Sequence, residues 1–152
     1  MTRLRHALPT LLLLLALLPM STMAIPADTT DTPQTETAAK MTIMNNLNSG
    51  IVAKQADAIS LISHYAHVGR FDADFYSLMV TPLHALVGKG ETESLRIMAI
   101  SALYSIGTDA AMRGLKVQMD SFESERLTTV AENAIAQYEA DRTATPQVRA
   151  GE

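Results

Sequence analysis

Two histidines in the stretch "SLISHYAHVGR", His64 and His67, stand three residues apart. On a helix that spacing sets both imidazoles on one side, where a metal ion could join them if further ligands converge. His84 belongs to a separate helical stretch, and Asp57 precedes His64 by about two turns. One expectation is therefore a metal- or small-ligand-binding helical protein in which His64, His67 and His84 come together. The other is that they are polar surface residues near a helix end. Nucleophilic chemistry has less to build on. The chain has no cysteine, and no Gly-x-Ser-x-Gly elbow presents a serine. The "GKG" at 88–90 follows no strand and reads as a helix stop, not a phosphate cradle. The carboxylates are scattered over helix starts and solvent faces. The expectation is a protein that is not an enzyme and takes no cofactor.

Binding chemistry is better represented. In "SLRIMAISALYSIGTDAAMRGL", residues 94–115, Ala99, Ala102, Leu103 and Ile106 fall on one side of a helix. Ile97, Ser101 and Tyr104 fall on the other. An exposed Ile97 and Tyr104 would form an apolar and aromatic anchor of the kind protein interfaces favour. The alternative is that an N-terminal helix covers them and they belong to the core.

The elements that must position these residues are all helical, because sustained alternation and Asn-Gly or Asp-Gly turns are missing from the sequence. A first helix is expected from about Lys40, interrupted by "NSG" at 48–50 and resuming from Ile51 to Val68, with Ile51, Ala58, Ile62 and Tyr65 along one stripe. A second opens after Asp72, a strong N-cap, with Phe71 and Tyr76 spaced as a hydrophobic staple. It runs to Val87 past Pro82. A third spans Thr92 to Ile106, a fourth Thr108 or Asp109 to Met119. The fifth runs from Asp120 or Ser121, with Asp120 and Glu123 as a capping-box variant, to Ala140.

The third and fifth of these align at an offset of 32. Leu95, Ala99, Ala102, Leu103 and Ile106 fall on Leu127, Ala131, Ala134, Ile135 and Tyr138. Residues 81–107, "TPLHALVGKGETESLRIMAISALYSIG", resemble a HEAT repeat, the two-helix unit of alpha solenoids. Pro82, Leu83 and Leu86 match its first helix, and Leu95, Arg96, Ala99, Ala102 and Leu103 match its second. Residues 108–139 match more weakly. The family usually has an Asp in the turn six residues before the Arg; here Gly90 stands there, leaving Glu91 or Glu93 to serve instead. The resemblance implies an all-α, short right-handed alpha-alpha superhelix of about five helices over residues 41–141. It also implies that the second helices line a concave, partner-binding face. On that face Ile97, Ser101 and Tyr104 correspond to Thr129, Asn133 and Ala136 at the 32-residue offset, so Ile97, Ser101, Tyr104 and Asn133 are the expected partner-binding residues. The iron-binding His-Glu pairs of some HEAT-like proteins have no counterpart, since none of these histidines is followed by Glu.

The two ends read differently. Residues 1–24 carry Arg3 and Arg5, the apolar run Leu11–Leu18, Pro19, and a small-residue stretch ending at Ala24. This is the pattern of a signal peptide cleaved after Ala24, its apolar run too short for a membrane anchor. With no cysteine there is neither a disulfide nor the acceptor for a bacterial lipid anchor. The expected location is the periplasm or the secreted fraction. Residues 25–40 read as a disordered Thr/Pro/Asp-rich spacer and 142–152 as a disordered tail. Loss of the two leader arginines leaves ten basic against sixteen acidic residues, a formal charge of −6. Such a chain lacks the positive footprint that nucleic acid requires. The expected partner is another protein, basic or mixed in charge, bound by an exported interaction module such as an inhibitor or immunity-type binder. Self-association along the solenoid axis is a further expectation.

Overall fold

Helix boundaries in this chain are written by caps and stops that act over a few residues. The computed structural model describes residues 33–144; the expected leader, the spacer up to residue 32 and the tail from residue 145 lie outside them. Six α-helices are present among the described residues: α1 (Pro33–Leu47), α2 (Val52–Val68), α3 (Ala73–Lys89), α4 (Glu93–Ile106), α5 (Asp109–Met119) and α6 (Glu125–Ala144). Hydroxyl and carboxylate caps open four of them. Asp72 accepts from the Phe75 N–H at 2.7 Å, Thr92 from Leu95, Thr108 from Ala111 and Ser124 from Leu127. Each satisfies a backbone donor that the first helical turn leaves without a partner.

Several expected boundaries change. The count is six, not five, because "NSG" separates two helices. Gly50 takes a φ of 68°, a left-handed conformation in which helix cannot continue through an ordinary residue. Ile51 is consequently the extended residue before α2 and is 50% exposed, not part of the buried stripe. Residues 33–40, expected in the spacer, belong to α1, which Lys40 ties down by pairing with Glu36 and Asp72. Its ammonium also sits over the Phe71 and Phe75 rings at 5.4 and 5.6 Å. α6 starts at Glu125, since Ser124 takes the capping role expected of Asp120, and it continues through Arg142 to Ala144.

The six helices form a compact all-α bundle. Sequential helices pair as α1–α2, α3–α4 and α5–α6. In addition α2 touches α4, α4 touches α6, α1 touches α3 and α3 touches α5. α4 is the central element, in contact with α2, α3, α5 and α6. Ala99, Ala102 and Leu103 are fully buried there, with Leu95 and Ile100. The alanines let neighbouring helices approach α4 closely, and the larger residues fill the space between. At the 32-residue offset Leu127 and Ala131 are buried like Leu95 and Ala99, and Thr92 and Ser124 cap their respective helices, whereas Ala134 and Ile135 are only half-buried where Ala102 and Leu103 are fully buried.

Gly90 has a steric cause. An added Cβ would stand 2.6 Å from the Leu86 carbonyl oxygen and 2.9 Å from Cγ of Arg96. Arg96 lies across the turn, donates from Nε to the Val87 carbonyl at 2.7 Å, and stacks near Phe122. The turn-to-Arg contact expected from Glu91 or Glu93 is thus replaced by an Arg-to-backbone bond. Glu93 faces the start of α6 instead, accepting from Ser124 and pairing with Arg126.

Two stability predictions follow from this packing. Leu103→Ala removes a fully buried side chain and should cost about 2–5 kcal/mol in chemical denaturation. Gly90→Ala should cost about 1–3 kcal/mol by forcing Arg96 and the α3 terminus apart, read as a lowered denaturation midpoint.

Candidate functional site

The final turns of α2, α4 and α6 meet at a cleft of about 520 Å³. α2 contributes His67, and α4 contributes Tyr104, Ser105 and its terminal Gly107. The last turns of α6 contribute Tyr138, Asp141 and Arg142. The cleft lies about one turn beyond Ser101 on the central helix. Beyond its first two residues, Ser101 is the only exposed residue of α4. Tyr104 lies one turn further on, half-buried, between His67 and Asp141.

Hydrogen bonds set the geometry. The Tyr104 hydroxyl donates to Asp141 Oδ2 at 2.9 Å, and Gln137 donates to the other oxygen at 2.8 Å. The Tyr138 hydroxyl donates to Asp109 Oδ1 at 2.7 Å, and Arg142 reaches the same oxygen at 2.6 Å. The Arg142 guanidinium lies 5.7 Å from the Tyr138 ring centre. α5 and α6 are thereby locked together at the cleft, and α4 is joined to α6. The hydrogen bond from Tyr138, with Arg142 and Arg113 nearby, holds the Asp109 carboxyl below its ordinary range. The hydrogen bond to Asp141, with partial desolvation, raises the Tyr104 phenol; Asp109 does the same for Tyr138.

The expected site residues separate into two groups. Tyr104 is in the cleft, with Ser101 on the strip beside it. Ile97, like Tyr104, is half-buried and packs against the core, but it does not line the cleft. Asn133 is exposed on α6 but does not line the cleft. The three histidines diverge. His64 is exposed on α2 with its ring beside Tyr65. His67 lines the cleft. His84 points from α3 toward α5, its Nδ1 2.9 Å from Gln118 Oε1 while Gln118 donates back to the His84 carbonyl. Its Nε2 is buried against Gly114 without a hydrogen bond. Among the described residues no three His, Cys, Asp or Glu side chains are grouped to hold a metal ion. The convergence required for the metal alternative is therefore absent.

Tyr138, Asp141 and Arg142 were not expected in a site: Tyr138 was aligned with Ile106 as a packing position, and the helix was expected to end near Ala140, before Asp141 and Arg142. One signal was available: at the 32-residue offset Tyr138 stands where Ile106 stands, an aromatic hydroxyl in place of an aliphatic side chain. The hydroxyls of the strip do not form a nucleophile with a base. Ser101 donates to the Ile97 carbonyl and Ser105 to the Ser101 carbonyl, both within the helix. No helix among the described residues is long and apolar enough to cross a membrane. Neither family models, curated proteins nor solved structures provide a match to this chain.

The lowered Asp109 carboxyl has a consequence for stability. A carboxyl depressed by folding stabilises the fold above its unfolded pKa, and that contribution disappears as pH falls through the folded value. Asp109→Asn should lower the thermal midpoint at neutral pH. The gap to the unsubstituted protein should close on acidification through the carboxylate range, measured by circular dichroism melts at stepped pH.

Proposed function

We propose that this chain is an exported, HEAT-like interaction module, periplasmic or secreted, that binds a partner protein along the open strip of α4. Several observations support the repeat reading. Helices pair in sequence, α2, α4 and α6 touch in a row, and α1, α3 and α5 touch in a second row. That is the layering of stacked two-helix units, each burying its apolar face against its neighbours. The shared caps and buried Leu-x-x-x-Ala positions at 92–99 and 124–131 agree with it. A right-handed superhelix is the corresponding curvature.

The observation that carries the functional reading is the juxtaposition of Ser101, the one exposed position of α4 beyond its first two residues, with the aromatic cleft at Tyr104. A tyrosine with one end packed and its edge in an open cleft suits an interface anchor, contributing area at little cost in side-chain freedom. The cleft is rigid before binding because hydrogen bonds already hold both tyrosines, which limits the ordering cost of association. Binding is the mechanism: a preformed surface, an aromatic anchor and a net negative charge on the chain that speeds encounter with a basic partner. An inhibitor or immunity-type binder is one form of such a protein. The leader pattern at residues 1–24 supports export.

Site-specific photocrosslinking tests the docking surface. A photoreactive residue at position 101, in cells that export the chain, should yield a discrete adduct. The same residue at Val117, 77% exposed on α5, should not. Equal adducts at both positions, or none at position 101, would remove α4 as the docking strip. Tyr104→Ala should reduce the position-101 adduct and weaken partner affinity by about tenfold.

A further inference from the structure

The polar groups of the cleft are spent on one another, and this narrows what can enter it. Asp141 and Arg142 line it with opposite charges, and both are engaged. Asp141 accepts from Tyr104 and Gln137 and is occupied beyond those two bonds. Arg142 pairs with Asp109 and lies over the Tyr138 ring. A cation entering the cleft would meet Arg142 as a like charge, and an anion would meet Asp141. Neither would find an unused counter-ion. The hydroxyls are committed as well: Tyr138 donates to Asp109 and Ser105 to the Ser101 carbonyl. Drawing an ion out of water into such surroundings carries a cost that no new partner offsets.

What the cleft does offer is ring surface and backbone acceptors. Tyr104 and Tyr138 are half-buried, and their bonded hydroxyls hold both rings in place for offset or edge-to-face contact with another ring. At the end of α4 the Gly107 N–H returns to the Leu103 carbonyl. The carbonyls of Tyr104 and Ser105 lie beyond that bond, in the stretch a helix leaves without intrahelical donors. A Cβ on Gly107 would stand 3.6 and 4.0 Å from those two oxygens. The glycine, which also lines the cleft, leaves them uncovered on that side. The space of about 520 Å³ has room for a ring of indole size.

We infer that the cleft receives an uncharged aromatic side chain of the partner protein that carries one N–H or O–H donor, a tryptophan indole fitting best. This rests on the docking reading above and specifies its chemistry. The ring packs on Tyr104 and Tyr138, its donor reaches a carbonyl at the α4 terminus, and the neighbouring backbone of the segment runs toward Ser101. The chain's formal charge of −4 acts on the partner as a whole from a distance, whereas the cleft selects a neutral group.

The chain contains no tryptophan, so the emission of a tryptophan peptide mixed with it reports that peptide's own surroundings. Short peptides identical except for a central Trp, Leu, Lys or Glu serve as probes. On titration with the purified chain, emission of the Trp peptide should move to shorter wavelength, with an affinity little changed as salt rises. The Leu peptide should displace it weakly, and the Lys and Glu peptides not at all. Tyr104→Leu and Tyr138→Leu each remove a ring and should weaken binding about threefold to tenfold, with folding checked by circular dichroism melts. Tyr104→Phe keeps the ring and should bind within about twofold of the unsubstituted chain. In the unsubstituted chain, the Trp peptide should move the Gly107 amide signal in an NMR titration and leave that of Val117, exposed on α5, in place. Equal displacement by the Leu, Lys or Glu peptide, affinity lost with salt, leucine variants that bind unchanged, or equal movement at Gly107 and Val117 would overturn the inference, as would no binding. If position 101 still crosslinks a partner while the Trp peptide fails, the docking surface stands and the aromatic assignment falls. If the Trp peptide binds through Tyr104 while position 101 captures nothing, the cleft assignment stands and the docking strip falls.

Discussion

The arrangement depends on one constraint: α4 must touch four other helices at once. A helix presents a limited circumference, so a helix packed against α2, α3, α5 and α6 can carry bulk only where a gap exists and must be small where backbones approach. Ala99 and Ala102 provide the small sectors, and Leu95, Ile100 and Leu103 fill the gaps, all fully or almost fully buried. Because nearly the whole circumference is consumed by packing, what remains open is narrow. That scarcity is what makes the strip at Ser101 informative. An exposed serine on a peripheral helix would mean nothing; on the central helix it is the one position past the first two residues that no neighbour covers.

Polar contacts then finish what apolar packing begins. Packing sets how far apart helices sit but leaves their ends free to splay. At one end of the bundle, Asp109 gathers Tyr138 and Arg142, and Asp141 gathers Tyr104. α5 and α6 are thus joined at their ends, and so are α4 and α6. Toward the N-terminus, Lys40 performs a comparable task between α1 and the start of α3, held by Glu36 and Asp72 and lying over two phenylalanines. Its ammonium is pushed toward the charged form, and Asp72 is held ionised, chiefly by the hydrogen bond they share. These exposed contacts contribute modestly to stability. Their larger effect is positional, since the same hydrogen bonds give the cleft its shape and fix both tyrosine hydroxyls.

Much of the local structure was legible in advance. Asp72 caps α3, α4 and α5 open next to Thr92 and Thr108, α2 and α4 stop at Val68 and Ile106, and Phe71 and Tyr76 come together, all as their spacing indicates. The burial of Ala99, Ala102 and Leu103 was legible too, because the small-large alternation on one helical face has few other uses. The misreadings lie where polarity was taken for disorder. "PQTETAAK" looks like spacer by composition, yet Lys40 and Ala39 supply enough contact with the body to hold a helix. "EADRTA" looks like the start of a tail, yet Asp141 and Arg142 are pinned by distant partners.

The sequence by itself determined the class of the fold, the starts and stops of the helices between residues 52 and 119, and the buried face of α4. Those depend on interactions within about one turn, or on a periodicity any helix must obey. Only the tertiary structure decided which residues share a site. Tyr104 and Asp141 are 37 positions apart, Asp109 and Arg142 33, and nothing local marks either pair. It also separated His84 from His67, and tucked Ile97 against the core while leaving Ser101 open. Helical spacing states which side of one helix a residue occupies. Which sides remain uncovered is set by how the neighbouring helices pack around it, a property of the assembled core and not of any single stretch of chain.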